Sequence, residues 1–341
     1  MNSTPRSSPR SAKTLRTVSI VGTGSYVPEK RLTNTELSQF VATNDEWITT
    51  RTGIKERRIA APNEQTSDMS AKAARAAMEQ AGVTGEEIDL ILLATATPDM
   101  VFPATACFVQ TQIGATNAAC LDISAACAGF LFAVEIAQQF VMAHTYDTVL
   151  VIGAEKLSFI TDWTERNTCV LFGDGAGAAI LRHREDGSQG LISSHLASDG
   201  NYAGILWMPG GGSRTPITKE NADDHLHTIK MSGKEVYKRA VTAMVQSARI
   251  TLERAGLTSA DLACVIPHQA NLRIIEAIAT RLKLPLDKFF INLDIYGNTS
   301  AAAIPIALDE ANRSGRIKRG DYVLLVTFGG GLTWSGCLVE W

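Results

Sequence analysis

The sequence predicts an α/β fold built from two similar halves, and two observations support this prediction. Short apolar runs with the character of strands alternate with alanine-rich stretches with the character of helices, and no linker interrupts them after Thr17. Such alternation is typical of largely parallel sheets that helices cover on both faces. In addition, long segments of the chain echo each other at a constant spacing, which indicates a duplicated architecture.

The predicted elements can be followed in chain order. Residues 1–14 are rich in Ser, Pro, Arg and Lys and have too little apolar surface to fold, so they are expected to form a disordered extension. The predicted strands are TVSIVG, DLILLAT, DTVLVIGAE, DLACVIPHQ and DYVLLVTFGG. Between them lie predicted helices such as SDMSAKAARAAMEQAG and EVYKRAVTAMVQSARITLERAG.

The internal repeat has a spacing of 174 residues. AMEQAGVTGEEIDLILLATATP recurs as TLERAGLTSADLACVIPHQA, with its Ala-Gly pair displaced by 255 − 81 = 174 positions. The strand VLVIG recurs as VLLVT with the same offset, 323 − 149 = 174. Between these segments lie two strand-turn-helix units, LDISAACAGF and LDIYGNTSAA. We interpret the chain as two halves, residues 15–185 and 186–341, whose equivalent turns face a common centre.

Composition excludes several classes of protein. The 341 residues include 35 acidic and 32 basic side chains, a net charge of −3 that disfavours binding to nucleic acid or to anionic lipid. No stretch approaches the roughly 18 to 20 apolar residues of a membrane span, and the first residues lack an apolar signal segment. The six cysteines never form a C-x-x-C pair, which favours free thiols in a reducing compartment. We expect a soluble, cytoplasmic protein.

Two kinds of cofactor site are not predicted. The segment VGTGSY would need glycine at Val27 to match the dinucleotide-binding pattern G-x-G-x-x-G. No group of Cys, His and Asp residues has the spacing of metal ligands. We therefore expect neither a metal nor a resident cofactor.

Cys127 is the first candidate for a reactive group. It follows the strand-like LDIS and precedes the helical pattern AGFLFAVEIAQQFVMA, so its thiol is predicted to lie at a helix N-terminus. Unpaired N–H groups and the helix dipole there favour the thiolate. The small residues around it would let a substrate carbonyl approach the backbone. The alternative is an inert, buried cysteine.

His268 and Asn298 lie on equivalent turns of the predicted repeat. His268 ends an apolar strand in VIPHQAN, and Asn298 lies in YGNTSAA. Together with a thiolate nucleophile, an imidazole and an amide could donate hydrogen bonds to a developing oxyanion. Taken singly, the histidine could be a structural hydrogen-bonding group and the asparagine a helix cap.

Three consecutive glycines, Gly329 to Gly331, follow a predicted strand in TFGGGLTW. They could form a flexible turn. They could equally let a backbone N–H point into a site, because no Cβ atom obstructs it.

The motifs DISAACAGF, PHQANLRI, GNTSAA and FGGGLTW, in this order and spacing, resemble those of the β-ketoacyl-acyl-carrier-protein synthase III family of thiolase-fold condensing enzymes. The resemblance extends from about Thr17 to Trp341. It implies a layered αβαβα architecture in which the two halves are related by a pseudo-twofold axis. It also implies a homodimer.

The resemblance further implies an acyltransferase whose coenzyme A thioester is a substrate. Cys127 would take an acyl group from an acyl-coenzyme A, with acetyl-coenzyme A as the leading primer. His268 and Asn298 would support the decarboxylative condensation with malonyl-acyl carrier protein, which gives 3-ketoacyl carrier protein and initiates fatty-acid biosynthesis. The backbone N–H groups of Cys127 and Gly330 would form the oxyanion hole for the acyl thioester.

Other positions match the family's binding residues. Trp47 and Arg166 would sandwich the adenine of coenzyme A, and Arg51 would contact a phosphate. Gly233 and Asn271 would lie along the pantetheine tunnel. Phe328 is expected to bind substrate, and Phe102 to reach across the dimer interface into the partner's acyl pocket. The acidic carrier protein would dock on Lys238, Arg273 and Arg281.

Alternative functions remain open. A thiolase would need a second cysteine where Thr327 and Phe328 stand, so this activity is disfavoured. A plant-type polyketide synthase shares the Cys, His and Asn set but fits the basic docking residues less well. Relatives that prime a specialised polyketide pathway, or that transfer an acyl group to a hydroxyl or amine without chain extension, form the runner-up. A non-catalytic acyl-binding module would bind ligand without acylation of Cys127.

Overall fold

The computed structural model describes residues 15–184 and 190–341. The predicted extension, residues 1–14, and the predicted boundary between the halves at 185 and 186 lie outside the described residues, so both stay predictions. The strands are β1 Val18–Tyr26, β2 Lys30–Thr33, β3 Glu56–Ile59, β4 Leu90–Ala94, β5 Ala119–Ile123, β6 Thr148–Glu155, β7 Gly175–His183, β8 Gly190–Ser198, β9 Leu206–Trp207, β10 Lys230–Met231, β11 Cys264–Pro267, β12 Tyr322–Gly329 and β13 Thr333–Glu340. The α-helices are α1 Asn34–Leu37, α2 Asp45–Thr52, α3 Thr66–Ala81, α4 Thr105–Ile113, α5 Gly129–Met142, α6 Arg166–Cys169, α7 Gly233–Arg254, α8 Leu272–Leu282, α9 Leu293–Tyr296 and α10 Ala303–Arg313.

The main sheet has the strand order β11-β12-β13-β8-β1-β7-β6-β4-β5. The sheet has two parts, β11-β12-β13-β8 and β1-β7-β6-β4-β5. They meet at β8 and β1, where Gly190 and Val18 form a single parallel pair. The expectation of largely parallel strands is wrong in detail, because β7 and β13 run antiparallel to both of their neighbours. The three residues between β12 and β13 are too few for a crossover, so these strands must form a hairpin.

Alternating side chains on each strand place helices on both faces of each part of the sheet. Leu90 and Leu92 of β4 pack in a cluster with residues of α5 and α10, whereas Ile91 and Leu93 pack with α3 and α4. Along β12 the alternation repeats, with α5 and α10 on one face and α7 and α8 on the other. Helices and sheets therefore form five layers in the order αβαβα, with α5 and α10 in the centre.

The spacing of 174 residues also relates elements of the structure. β6 and β12 begin at residues 148 and 322, and α5 and α10 begin at 129 and 303. Before each central helix stands a 3-10 turn, Ala126–Ala128 and Ser300–Ala302. The first residue of each turn has a positive φ, +45° at Ala126 and +49° at Ser300, a conformation that costs free energy for a residue with a Cβ atom. The two turns before the central helices thus share an uncommon backbone shape.

One predicted strand is a helix. The segment LDIY forms α9, although its counterpart LDIS begins in β5. The side chain of Gln269 accounts for the difference, because its amide donates to the carbonyl of Phe290 at 3.1 Å and its oxygen accepts from the N–H of Asn292 at 3.1 Å. Without Gln269, these two backbone groups would need partners on a neighbouring strand. With it, the chain can turn away from the edge of the sheet at β11 and form a helix.

Candidate active site

Cys127, His268 and Asn298 line one cavity of about 450 Å³. Cys127 lies in the 3-10 turn before α5, His268 directly follows β11, and Asn298 lies between α9 and the 3-10 turn before α10. Six further residues singled out from the sequence line the same cavity: Trp47, Arg51, Gly233, Asn271, Phe328 and Gly330. The cavity therefore collects residues from both parts of the sheet.

The turn of Cys127 is held from behind by β12 and β13. The hydroxyl of Thr327 donates to the carbonyl of Cys127 at 2.8 Å, and that of Thr333 donates to the carbonyl of Ala125 at 2.9 Å. Gly329 provides the space for this approach, since a Cβ atom there would lie 2.6 Å from the nitrogen of Cys127. The position of the thiol thus depends on strands some 200 residues away in sequence.

Burial, and not the helix N-terminus, dominates the acidity of Cys127. Desolvation raises the pKa of its thiol to about 12, and the charge of Glu155 acts in the same direction. The hydrogen bond with the side chain of Ser300 lowers the pKa, but by less. The predicted effect of the helix terminus favours the thiolate and so acts against this burial. A helix terminus contributes on the order of 1 to 2 kcal/mol, about one pKa unit, which does not offset this burial.

His268 is a neutral imidazole. Its side chain is buried, and this desolvation lowers its pKa to about 4. The backbone N–H of His268 donates to the carbonyl of Val326 at 2.8 Å, which continues the parallel pairing of β11 with β12. The ring nitrogen Nδ1 is enclosed and has no hydrogen-bond partner among the residues that the structure describes. Nε2 is therefore the ring nitrogen available to a ligand in the cavity.

The carboxamide of Asn298 is oriented by its own turn. Its Oδ1 accepts a hydrogen bond from the N–H of Ser300 at 2.9 Å. Its backbone N–H donates to the carbonyl of Leu171 at 2.8 Å, and its carbonyl accepts from the N–H of Gly173 at 3.0 Å. Because the oxygen is already used, the Nδ2 amide is the group that remains to donate into the cavity.

Ser300 and Glu155 are two residues beside Cys127 that sequence analysis did not single out. The hydroxyl of Ser300 donates to Glu155 Oε1 at 3.0 Å. Glu155, the last residue of β6, is fully buried. A sequence signal existed, because a carboxylate at the end of an otherwise apolar strand must find hydrogen-bond partners inside the protein.

At the mouth of the cavity, Trp47 stacks with two arginines. The guanidinium groups of Arg51 and Arg166 lie 4.5 and 4.6 Å from the centroid of its ring. Arg166 also donates to the carbonyl of Ala42 at 3.1 Å. A base held between two planar groups needs them about 7 Å apart, twice a contact distance of about 3.5 Å. The slot between Trp47 and Arg166 is thus closed in this structure, and a base could enter only after Arg166 moves.

Asn271 links two helices at this mouth. It caps α8, where its Oδ1 accepts from the N–H of Arg273 at 2.9 Å. Its Nδ2 donates to the carbonyl of Arg51 at 3.1 Å, which ties α8 to α2. Gly233 begins α7 at the same opening.

The remaining predicted residues lie outside the cavity lining. Phe102 is 83% exposed in the loop between β4 and α4. Lys238 on α7, and Arg273 and Arg281 on α8, are exposed on two helices that contact each other. Their predicted roles in dimerisation and docking stay predictions.

The described residues hold neither a cluster of metal ligands nor a membrane-spanning helix. In residues 15–184 and 190–341, no group of three His, Cys, Asp or Glu side chains is placed to hold a metal ion. In the same ranges, no helix has the length and apolar character to cross a membrane.

Comparison with known proteins gives consistent results. Residues 121–200 match the family model described as 3-Oxoacyl-[acyl-carrier-protein (ACP)] synthase III, and residues 252–341 match its C-terminal model. A β-ketoacyl-[acyl-carrier-protein] synthase III of Caldanaerobacter subterraneus subsp. tengcongensis is 56% identical over 322 residues, which cover 94% of this chain and 97% of that protein.

Two solved structures extend the comparison. The crystal structure of 3-oxoacyl-[acyl-carrier-protein] synthase III from Aquifex aeolicus has a TM-score of 0.89 and 47% identity, covering 95% of this chain and 100% of the other. The priming β-ketosynthase of the R1128 polyketide pathway has a TM-score of 0.89 at 36% identity, covering 97% and 98%. The likeness confirms the predicted thiolase-like fold class. Since relatives of this identity match almost the whole length of the chain, it belongs to the β-ketoacyl-acyl-carrier-protein synthase III family.

Proposed function

We propose that this chain initiates fatty-acid biosynthesis by condensing an acyl-coenzyme A primer with malonyl-acyl carrier protein, with Cys127, His268 and Asn298 as the catalytic residues. The observation that supports this most directly is that the thiol, the neutral imidazole and the carboxamide line one cavity, although they are far apart in sequence. The names of the relatives point to the same activity. The product is a 3-ketoacyl carrier protein.

In the first half-reaction, the sulfur of Cys127 attacks the carbonyl carbon of the acyl-coenzyme A. Coenzyme A leaves as its thiolate, and the acyl group stays on the enzyme as a thioester, so ping-pong kinetics follow. The backbone N–H groups of Cys127 and Gly330 stabilise the oxyanion of the tetrahedral intermediate. Gly330 suits this role because it follows β12 at the edge of the cavity that holds Cys127.

In the second half-reaction, malonyl carrier protein loses CO₂ and forms an enolate. His268 Nε2 and Asn298 Nδ2 donate hydrogen bonds to the enolate oxygen, each worth about 3 to 4 kcal/mol if it acts as a single oxyanion donor. A histidine whose pKa is about 4 is neutral at pH 7, so it donates without adding a charge to the buried site. The enolate carbon then attacks the acyl-cysteine and releases Cys127.

The mouth of the cavity and the neighbouring helices suit the two carriers. Trp47, Arg51 and Arg166 would hold the nucleotide of coenzyme A, with its pantetheine passing Gly233 and Asn271. The exposed cations Lys238, Arg273 and Arg281 would attract the acidic carrier protein. Phe328 lies in the cavity wall beside the acyl group. A homodimer in the cytoplasm, with Phe102 at its interface, completes the proposal, and no resident metal or cofactor is required.

Radiolabelled acetyl-coenzyme A tests the first half-reaction. Proteolysis should place the label on the peptide that contains Cys127, and Cys127→Ser should abolish labelling. Cys107→Ser is the matched control, because Cys107 is a partly exposed free cysteine outside the cavity lining. Labelling of another peptide, or none with any acyl chain tried, would remove the nucleophile assignment.

A primer panel separates this activity from related acyl transfers. With malonyl carrier protein present, a condensing enzyme releases CO₂ and lengthens the acyl chain by two carbons. An acyltransferase that acts on a hydroxyl or amine would consume the primer without CO₂ release. Comparing kcat/KM for acetyl, branched and medium-chain primers also identifies the preferred starter.

A further inference from the structure

Glu155 is a carboxylate enclosed at the centre of the molecule. Its oxygens accept hydrogen bonds from the hydroxyl of Thr97 at 2.5 Å, the N–H of Ala96 at 3.1 Å and the hydroxyl of Thr95 at 3.3 Å. The fourth donor is the hydroxyl of Ser300 at 3.0 Å. Within residues 15–184 and 190–341, Glu155 has no ion-pair partner. A buried carboxylate without a cation is costly, so it depends on these hydrogen bonds.

Ser300 connects this carboxylate to Cys127. Its hydroxyl donates to Glu155, and its side chain lines the same cavity as Cys127 and lowers the pKa of that thiol by hydrogen bonding. Its φ of +49° is a strained conformation that glycine would adopt at lower cost. Ala126 has the same conformation at the equivalent turn without a hydroxyl, so the strain belongs to the turn, and what Ser300 adds there is a hydroxyl between Cys127 and Glu155.

Among the described residues, the neighbouring charged groups Lys156 and Asp174 are held by other partners, whereas the charge of Glu155 acts on the thiol of Cys127. Lys156, its neighbour in the chain, directs its ammonium group to the backbone carbonyls of residues 61, 62 and 64. Asp174, near the start of the adjacent β7, is held by Ser158 and the N–H of Ala60. The residues that directly follow β4 present hydroxyl and backbone N–H donors to Glu155.

The pKa values of the nearby groups favour Glu155 over His268 as the acceptor of the cysteine proton. Burial raises the pKa of Glu155 to about 7, and it lowers that of His268 to about 4. A base holds a proton at neutral pH only when its pKa is near neutral. The thiol of Cys127, with a pKa of about 12, must pass its proton to some such group as it attacks.

We propose that Ser300 and Glu155 form a proton route for Cys127, in which Glu155 holds the cysteine proton for as long as the sulfur carries the acyl group. The proposal rests on the function proposed above and adds a catalytic residue, Ser300, and a positioning and proton-storing residue, Glu155. Glu155 acts through Ser300 and does not touch the substrate.

The step balances in atoms and charge. As sulfur attacks the acyl carbonyl, the thiol proton passes to Ser300 Oγ, and the hydroxyl proton of Ser300 passes to Glu155 Oε1. The carbon–sulfur bond to coenzyme A breaks with its electron pair on the departing sulfur, and this thiolate takes a proton from solvent. When condensation later releases Cys127 as a thiolate, the proton returns from Glu155 through Ser300. The solvent proton that coenzyme A takes up is thus the one consumed in the overall reaction.

Proton uptake during acylation tests the route directly. Enzyme is mixed with acetyl-coenzyme A in weakly buffered solution with a pH indicator, and acyl-enzyme is counted from the radiolabel. If Glu155 keeps the cysteine proton, without exchange with solvent, for the life of the acyl-enzyme, uptake is about 0.7 proton per acyl group at pH 7.5, for a resting Glu155 pKa of about 7 and an ordinary thiol pKa of about 8.5. If the cysteine proton left with coenzyme A, uptake would be close to zero, and the proposal would be wrong.

Variants provide a second readout that a structural role would not change. Glu155→Gln and Ser300→Ala should slow acylation by on the order of 10² to 10⁴, with little change in KM. Wild-type acylation should rise with pH and level off above about 7, whereas the variants should keep rising with the thiolate fraction. A variant that is slow but keeps the wild-type pH profile would contradict the proton route.

Glu135→Gln is the matched control. Glu135 lies on α5, accepts a hydrogen bond from the hydroxyl of Ser194 and does not line the cavity. It should acylate at the wild-type rate and with the wild-type pH profile. Failure of wild-type enzyme to label Cys127 at all would instead refute the proposed function, so the two outcomes are distinct.

Discussion

Replacing Glu155 by glutamine should change how stability depends on pH, because it removes a buried titrating group. The pKa of Glu155 rises from 4.5 to about 7 on folding, a difference of about 2.5 units. At 1.36 kcal/mol per unit, this is worth about 3 kcal/mol. Since the folded state binds the proton more tightly, wild-type stability falls by this contribution as pH rises from about 4.5 to 7.5. Glutamine does not titrate, so the variant lacks this loss.

The assay is urea unfolding of both proteins at a series of pH values between 4.5 and 8. The free energy of unfolding of Glu155→Gln, minus that of wild type, should increase by about 3 kcal/mol across this range. The absolute difference also contains the altered hydrogen bonds of the amide, so the pH dependence is the quantity to compare. Equal denaturant slopes for the two proteins are required for the comparison.

Glu64→Gln serves as the control, because the pKa of Glu64 is lowered on folding, whereas that of Glu155 is raised. Hydrogen bonds from Lys72 and Tyr26 lower the pKa of Glu64, so its contribution to stability is present above pH 4.5 and is lost only below it. The free energy of this variant relative to wild type should therefore not rise between pH 4.5 and 8. A difference for Glu155→Gln that stays flat over the same range would refute the assignment of a raised pKa.

Three further predictions concern the site. Asn298→Ala should retain acylation of Cys127 but lose CO₂ release from malonyl carrier protein by on the order of 10² to 10³, and equal loss of both half-reactions would contradict the assigned roles. Gly329→Ala should slow acylation and destabilise the fold by about 1 to 3 kcal/mol, because its Cβ would lie 2.6 Å from the nitrogen of Cys127. Gly212→Ala, whose Cβ meets nothing within 4 Å, is the control for urea unfolding and labelling. Trp47→Ala should raise KM for acyl-coenzyme A and leave the acylation rate at saturation unchanged, and an unchanged KM would exclude a base-stacking role.

Some structural details could not be read from local patterns. LDIS and LDIY are nearly the same string, yet the first begins in a strand and the second in a helix, because Gln269 satisfies backbone groups near the second. The sequence shows the helix terminus at Cys127, but it does not show the burial that opposes the terminus by raising the pKa of the thiol. Ser300 resembles an ordinary residue at a helix start until its distance to Glu155 is known.

The sequence by itself indicated the alternation of strands and helices, the two similar halves and three candidate residues, whereas the αβαβα layering was implied by the resemblance to the condensing enzymes. Local and periodic features can be read directly from the order of residues. They include the alternation of strands and helices, the repeat of 174 residues, and the motifs around Cys127, His268 and Asn298.

Only the tertiary structure decided how these residues are tuned. The pKa values of Cys127, His268 and Glu155 depend on burial, and the proton route depends on contacts between residues 145 positions apart. The closed stack of Arg166 on Trp47 likewise joins separate elements. Desolvation and hydrogen bonding act through space, over a few ångströms, so the order of residues along the chain does not fix their magnitudes.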